Sequence, residues 1–183
     1  MFFYLVWYTE YMLDANIVIF FHGLGISAPA WRKLVVFLNY ILPVVLAGVT
    51  ISVWWHLQKR RRFNALLLLV LILSVSYLVN RFFGALYFRA RPFVTIGFIP
   101  FVSPPSVLKS FPSEHATLAA AGAVWLWKFG HKKSAIWGGI LAFCIGILRV
   151  FVGVHYPSDV IAGWVLGMVI SALTLKIWKR YIL

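Results

Sequence analysis

The chain is poor in acidic residues and in cysteine. Only four of its 183 residues are acidic: Glu10, Asp14, Glu114 and Asp159. The single cysteine excludes an internal disulfide bond. Charged residues make up 11% and hydrophobic residues 63% of the chain, whereas a soluble domain has about 25% and 45–50%. The composition therefore excludes an ordinary soluble domain and indicates an integral membrane protein.

A nucleic-acid partner is also excluded, although the net charge is +13. A basic soluble domain would favour nucleic acid, but here the basic residues cluster between long apolar runs, as topology signals do. The bilayer is the expected partner, and the sequence indicates no obligate protein partner. The N-terminus lacks the pattern of a removable signal peptide, so the apolar segments are expected to direct insertion.

The apolar segments predict an all-α, polytopic transmembrane helical bundle in a single domain, residues 1–183. A span needs about 20 mostly apolar residues. Five segments are candidates: 34–56, 63–85, 115–129, 135–153 and 160–178. Residues 1–33 are predicted as an N-terminal interfacial segment, because Glu10 and Asp14 share one helical face and carboxylates are costly at mid-bilayer. A sixth span within residues 1–22 is the alternative.

Basic clusters predict the orientation in the membrane. If the five spans alternate, one side holds ten of the 17 basic residues, in the clusters 59–62, 128–133 and 176–180. The positive-inside rule makes this side the cytoplasm, for a multi-pass protein of the cell inner (plasma) membrane. Residues 89–113, rich in proline, are then a loop on the periplasmic or extracellular side. Two polar strings fall at the same outer end.

One polar string joins the fourth and fifth spans and contains Arg149, His155 and Asp159. Pro157 is predicted in the first turn of the fifth helix, where its missing N–H costs nothing. The spacing allows Asp159 to accept a hydrogen bond from one ring nitrogen of His155, which leaves the other nitrogen as a nucleophile or base. The Arg149 guanidinium matches the paired oxygens of a phosphate.

A second polar string, residues 111–115, precedes the third span. Pro112 is predicted to open a helix with Ser113 in its first turn, where free N–H groups and the helix dipole attract anions. His115 is then placed to exchange a proton with the group that carries the anion. Arg91, at the end of the second span, would close a third wall of a phosphate pocket.

These strings resemble the three signature motifs of the type 2 phosphatidic acid phosphatase (PAP2) superfamily, over roughly residues 65–180. In chain order the motifs are Arg91-Pro92, residues 112–115, and Arg149 with His155 and Asp159. The gaps within the third motif are highly specific, and the second motif is moderately so.

Two positions depart from the family pattern. The family usually has a lysine seven residues before the first-motif arginine, where this chain has Gly84. Arg81 and Arg89 are the candidates to replace it as ligands of the substrate phosphate. The second motif usually reads Pro-Ser-Gly-His, and Glu114 replaces its glycine. An acidic residue there is similar to the bacterial undecaprenyl-diphosphatase branch, so Glu114 is a candidate for diphosphate recognition.

The resemblance implies a membrane lipid phosphatase that hydrolyses a lipid diphosphate or monophosphate without a metal or another cofactor. The preferred substrate is undecaprenyl diphosphate, hydrolysed to undecaprenyl phosphate and phosphate. The resemblance further implies that His155 forms a phosphohistidine, Asp159 orients its ring, and His115 protonates the leaving oxygen. The phosphoryl oxygens would be held by Arg91, Arg149 and Ser113.

Two alternatives stay open. Within the enzyme class, the substrate could be phosphatidylglycerophosphate, phosphatidate or lipid A. Outside it, the protein would be a non-enzymatic lipid-binding or transport protein. Transporters carry polar residues at mid-membrane on broken helices, whereas here the polar residues collect at helix ends. Lys109 is interpreted as a solvated loop charge that could also meet a lipid phosphate.

Overall fold

Helices form most of the described part of the protein, which in this computed structural model comprises residues 2–103 and 109–181. In chain order they are α1 (Phe2–Ser27), α2 (Pro29–His56), α3 (Lys59–Leu86), α4 (Pro92–Ile96), α5 (Glu114–Phe129), α6 (Lys132–Phe151) and α7 (Pro157–Tyr181). No strand occurs within these two ranges. The prediction of an all-α helical bundle is confirmed.

The long helices agree with the predicted spans, although their ends differ. Helices α2, α3, α6 and α7 are long and apolar enough to cross a membrane. Helix α5, the third predicted span, has 16 residues. It is about 24 Å long and thus shorter than the hydrocarbon core of about 30 Å. The basic cluster 59–62, predicted as a connection, forms the first turn of α3, because lysine and arginine are good helix formers.

Helix α5 lies at the centre of the bundle and packs against α3, α6 and α7. It carries small buried side chains, including those of Ala116, Ala120 and Ala121. On α7, a Cβ atom at Gly163 would lie 2.7 Å from the Ser113 carbonyl oxygen, so the glycine permits a close approach of the two helices. This approach brings the start of α5 beside the start of α7.

An apolar layer holds α5 against α3. Trp125 is fully buried, and its indole N–H donates to the Ala65 carbonyl at 2.9 Å. Further buried side chains of the same layer are Leu68, Ile72 and Leu126. Since van der Waals packing drives helix association in membranes, this layer fixes the helices whose ends carry the polar residues.

The polar residues collect at one end of the bundle, as the sequence predicts. There the C-terminal ends of α3 and α6 meet the N-terminal ends of α5 and α7. Asn80 on α3 donates to the Thr117 hydroxyl at 2.9 Å and to the Pro112 carbonyl at 3.3 Å. The Ser113 N–H donates to the Asp159 carbonyl on α7 at 3.0 Å. The three basic clusters lie at the other helix ends.

Asp14, on helix α1, is buried inside the protein. Asp14 is 8% exposed, and its carboxylate lies 2.8 Å from the Arg89 guanidinium. The predicted interfacial position of residues 1–33 rests on the cost of carboxylates at mid-bilayer. For Asp14 the ion pair with Arg89 reduces this cost. The side chain of Glu10 lies outside the described residues, and the interfacial position stays a prediction.

The predicted outer loop, residues 89–113, contains one short helix, α4, in its described part. Gly97 follows this helix with a φ of 83°, which glycine adopts without strain. Residues 104–108, which include two of the prolines that predict the loop, lie outside the described residues. The Ser110 N–H donates to the Arg89 carbonyl at 2.9 Å, and this bond closes the base of the loop.

Candidate active site

His155 lies in the short connection between α6 and α7. Its side chain is buried, and Nδ1 lies 2.8 Å from the Ser110 carbonyl oxygen. Because a carbonyl can only accept, Nδ1 donates its hydrogen there, and Nε2 keeps its lone pair. Nε2 lies 3.3 Å from Nη1 of Arg91. The ring is therefore held in the tautomer that a nucleophile needs.

Asp159 is close to His155 but makes no hydrogen bond with it. Its Oδ2 lies 3.8 Å from His155 Nδ1, which is beyond hydrogen-bond range. The predicted direct bond is wrong, because the Ser110 carbonyl takes its place. The buried carboxylate accepts from the Tyr156 N–H at 2.8 Å, from Arg89 Nη1 at 2.8 Å and from the Ser110 hydroxyl. Asp159 therefore acts on the ring through its charge.

The surroundings of His155 keep its imidazole neutral. Burial lowers the pKa of His155 to about 4, the guanidinium groups of Arg149 and Arg91 act in the same direction, and Asp159 opposes them. At pH 7 the ring therefore carries no proton on Nε2. If the ring became positive during a reaction, the nearby carboxylate of Asp159 would stabilise it.

Two buried arginines flank His155. Arg91, the residue before α4, donates through Nη1 to the Val154 carbonyl at 2.9 Å. Arg149, near the end of α6, donates through Nη1 to the side-chain oxygen of Asn39 at 3.0 Å. These bonds orient both guanidinium groups. Asn39 lies on α2, outside the motifs, and its one sequence signal is a polar residue in an apolar segment.

Four buried side-chain polar atoms have no hydrogen-bond partner among the described residues. They are Oγ of Ser76, Oγ of Ser113, Nε of Arg91 and Nε of Arg149. Buried polar groups are almost always paired, and leaving one unpaired costs about 1–3 kcal/mol. Arg91 and Arg149 line the same cavity as His155. Their two unpaired donors indicate a site for an anion with several acceptor oxygens, and a phosphate group meets this requirement.

Ser113 precedes α5 and does not lie inside it. Glu114 is the first residue of the helix, and Ser113 is its N-cap. The prediction that Pro112 opens the helix is therefore wrong. The Ser113 N–H bonds to the Asp159 carbonyl, which holds Ser113 in an extended conformation with φ −69° and ψ 115°. Its hydroxyl remains available beside a helix N-terminus, where anions are favoured.

A polar cavity of about 390 Å³ lies against His155, Arg91 and Arg149. It is lined by Tyr77, Arg81, Arg91, Lys109, Pro112, Glu114, His115, Arg149 and His155. The four cations outnumber the one carboxylate, and such an excess in a confined space attracts anions. In the described part of the chain, no three His, Cys, Asp or Glu side chains are grouped as a metal site.

A second, apolar cavity of about 440 Å³ lies beside the first. Its walls come mainly from α2, α3 and α5 and include Leu46, Leu69, Leu73, Leu118 and Gly122. His115 and Glu114 line both cavities. His115 is exposed, as a residue that exchanges protons with a bound molecule has to be.

Lys109 lies in the polar cavity, although the sequence predicts a solvated loop charge. Its Nζ donates to the Asn80 carbonyl at 3.2 Å and to the Asn80 side-chain oxygen at 3.0 Å. It also lies 3.5 Å from Oε1 of Glu114. A Cβ atom at Gly84 would overlap the Lys109 side chain. Lys109 thus brings an ammonium group to the place where Gly84 replaces the lysine of the family.

The two arginines that the sequence offers as substitutes for this lysine lie elsewhere. Arg81 is at the rim of the polar cavity, with its side chain 56% exposed and Nη1 3.3 Å from Oε1 of Glu114. Arg89 does not line the cavity. Its prediction as a phosphate ligand is wrong, because the carboxylates of Asp14 and Asp159, each 2.8 Å away, hold it outside.

Known proteins share both the sequence pattern and the fold. The model of the PAP2 superfamily matches residues 65–182. The bacitracin transport permease protein BcrC of Bacillus licheniformis is 31% identical over 167 residues, which cover 91% of this chain and 79% of that protein. The undecaprenyl-diphosphatase BcrC of Bacillus subtilis is 27% identical over 152 residues, 83% of this chain and 77% of that protein.

The solved structures support the same architecture. A crystal structure of a transmembrane PAP2 type phosphatidylglycerolphosphate phosphatase from Bacillus subtilis matches with a TM-score of 0.72. The match covers 94% of this chain and 88% of that one, at 24% sequence identity. At this identity the match bears on the fold alone.

Proposed function

Because this chain belongs to the PAP2 superfamily of membrane lipid phosphatases, we propose that it hydrolyses undecaprenyl diphosphate to undecaprenyl phosphate and inorganic phosphate. The choice of substrate draws on the undecaprenyl-diphosphatase among its relatives and on Glu114 in the second motif. Such an enzyme would return the carrier lipid of cell-wall synthesis to its monophosphate form.

The observation that carries the proposal is the junction of the polar and apolar cavities. His115 and Glu114 line both, so one molecule can fill both spaces. Its phosphate would lie next to His155, and its hydrocarbon chain would lie between α2, α3 and α5. A lipid phosphate has this two-part chemistry, and the apolar cavity next to the polar one suits the chain of a polyprenyl lipid.

In the first step, His155 is the nucleophile. Its neutral Nε2 attacks the terminal phosphorus in line, an N–P bond forms, and the bond from phosphorus to the bridging oxygen breaks. The negative charge of the bound diphosphate favours the protonated form of His115, which donates a proton to that oxygen, and undecaprenyl phosphate leaves. The carboxylate of Asp159 stabilises the positive ring of the phosphohistidine.

In the second step, water releases the phosphate. His115, now neutral, takes a proton from a water molecule whose oxygen attacks the phosphorus. The N–P bond breaks, the electron pair returns to Nε2 of His155, and inorganic phosphate leaves. In both steps the phosphoryl oxygens gain charge that preorganised donors stabilise; the donors are Arg91, Arg149 and Ser113.

A separate group of charges is proposed to bind the inner phosphate of the diphosphate. Lys109 and Arg81 lie within 3.5 Å of Glu114 Oε1, and Glu114 borders the apolar cavity. The inner phosphate, which stays on the lipid, would come close to this group. The two cations would bind it, and Glu114 would hold them in place. A lipid with one phosphate would lack this interaction.

Catalysis is proposed in preference to transport, although one relative is named a transport permease. Transporters place polar residues at mid-membrane on broken helices. Here Arg149, His155 and Asp159 lie at helix ends. The same ends lie opposite the basic clusters, so the positive-inside rule favours an active site on the non-cytoplasmic side of the inner (plasma) membrane.

A substrate panel tests the proposed function. The purified full-length protein, in detergent and with a chelator present, is expected to release phosphate from undecaprenyl diphosphate with a higher kcat/KM than from phosphatidylglycerophosphate, phosphatidate or lipid A. The reason is the extra binding of the inner phosphate. Equal or faster turnover of phosphatidylglycerophosphate would overturn the substrate proposal, and loss of activity in chelator would overturn metal independence.

Filling the apolar cavity is expected to weaken binding of the lipid. Gly122→Leu should raise KM for undecaprenyl diphosphate about tenfold or more, and leave kcat/KM for a water-soluble short-chain alkyl diphosphate unchanged. Gly122→Ala is the matched control, since a Cβ atom there meets only Leu46, at 3.9 Å. An equal effect of Gly122→Leu on both substrates would contradict the assignment of this cavity to the lipid chain.

A further inference from the structure

A buried ion-pair network links helix α1 to Asp159. Arg89 lies between two carboxylates: its Nη2 is 2.8 Å from Asp14 Oδ2, and its Nη1 is 2.8 Å from Asp159 Oδ1. The Arg89 guanidinium also lies 3.9 Å from the centre of the Tyr156 ring. The side chains of Arg89, Asp14 and Asp159 are 16%, 11% and 0% exposed. Solvent therefore screens this network only weakly.

Asp14 also contacts the first turn of α7 directly. Its Oδ1 accepts from the Ser158 N–H at 3.1 Å, and its Oδ2 pairs with the Ser158 hydroxyl. That hydroxyl lies 2.6 Å from Nη1 of Arg89. An anion at a helix N-terminus is favourable. One carboxylate from α1 thus holds both Arg89 and the helical turn in which Asp159 lies.

We propose that Asp14 is a positioning residue of the active site, which acts through Arg89 to hold the Asp159 carboxylate where it supports His155. The inference rests on the proposed function, in which His155 attacks phosphorus. Asp14 itself touches no substrate, because neither Asp14 nor Arg89 lines the polar cavity.

Asp14 can affect Asp159 because both carboxylates share the guanidinium of Arg89. Without Asp14, Arg89 would have Asp159 as its single carboxylate partner and would draw that carboxylate toward itself. The Asp159 oxygen that lies 3.8 Å from His155 Nδ1 would then stabilise a positive ring less. We expect the step that forms the phosphohistidine to slow, while binding of the lipid diphosphate stays the same.

Asp14 lies outside the part of the chain that matches the family, so its proposed role is not part of the family motifs. The family match begins at residue 65, so α1 lies outside it. A carboxylate in an apolar helix is costly unless it is paired. The network with Arg89 and Ser158 supplies that pairing and accounts for the presence of Asp14.

The test compares kcat and KM of full-length variants, purified in detergent, with undecaprenyl diphosphate. Asp14→Asn is expected to lower kcat roughly 10- to 100-fold and to leave KM within about twofold. Asp14→Glu keeps a carboxylate and is expected to restore most of the parental kcat. Asn16→Ala changes an exposed residue on the same helix and, as the matched control, keeps the parental kcat.

A double-mutant cycle with Arg89→Gln shows whether Asp14 acts through Arg89. Added to Arg89→Gln, Asp14→Asn is expected to lower kcat by at most about threefold more. The inference is overturned if Asp14→Asn keeps the parental kcat, or if it raises KM and leaves kcat unchanged. It is also overturned if Asp14→Asn lowers kcat by the same factor in Arg89→Gln as in the parent. A parent protein that releases no phosphate from this lipid contradicts the proposed function instead.

Discussion

His155→Gln is expected to lower kcat for phosphate release on the order of 10⁴-fold or more. Glutamine has a similar size and can hydrogen-bond to Ser110, but it has no ring nitrogen lone pair that can attack phosphorus. The arginines of the polar cavity remain, so the Kd for the lipid diphosphate is expected to change by less than about fivefold. Phosphate release by the purified variant at saturating substrate measures the effect.

The matched control for this variant is His131→Gln. His131 is exposed and precedes α6 at the other end of the bundle, so its replacement is expected to leave kcat at the parental value. If His155→Gln retained a kcat within about tenfold of the parent, the imidazole could not be the nucleophile.

Arg149→Lys is expected to have the second largest effect, a kcat about 10²- to 10³-fold lower. Lysine keeps the positive charge but lacks the planar guanidinium that matches phosphoryl oxygens. It also lacks the Nε–H, which in Arg149 has no partner among the described residues. The bond from Arg149 Nη1 to Asn39 orients the group, and a flexible ammonium cannot reproduce that geometry. KM is expected to change less than kcat, because the interaction strengthens in the transition state.

The control for Arg149→Lys is the same exchange at an exposed position. Arg61 lies in the first turn of α3, at the end of the bundle opposite the polar cavity. Arg61→Lys is expected to keep the parental kcat. If Arg149→Lys had the parental kcat, positive charge alone would suffice at this position. The proposal that the Arg149 Nε–H binds a phosphoryl oxygen would then be wrong.

Most of the bundle can be predicted from the sequence, because membrane spans are set by hydrophobic length. Helices α2, α3, α6 and α7 follow from this property alone. The connection with Arg149 and His155 can also be predicted, since a few residues of spacing place both side chains at one helix end. Helix ends are harder to predict: whether Ser113 lies inside α5 depends on its bond to the Asp159 carbonyl, which belongs to another helix.

Contacts between distant segments could not be predicted. They depend on how the helices pack, and no periodicity or spacing marks them. Three such pairs are Ser110 with His155, Asn39 with Arg149 and Asp14 with Arg89, which are 45, 110 and 75 residues apart.

The position of Lys109 in the polar cavity could be predicted from the sequence, but only indirectly. A glycine stands at position 84, where the resembling family carries a lysine. The structure shows that this glycine leaves room for the Lys109 side chain. A glycine in place of a cation of the family pattern, as at Gly84, can therefore indicate that a basic residue from a loop, here Lys109, occupies the same space.

The central claim is that His155 attacks phosphorus before water does, and the stereochemical course at phosphorus tests it most directly. An undecaprenyl diphosphate whose terminal phosphorus is chiral, with sulfur and oxygen isotopes, is hydrolysed by the purified protein in isotopically labelled water. Each in-line displacement inverts phosphorus, so attack by His155 followed by attack by water predicts net retention in the released thiophosphate. Net inversion would mean that water attacks the lipid diphosphate directly and would contradict the account.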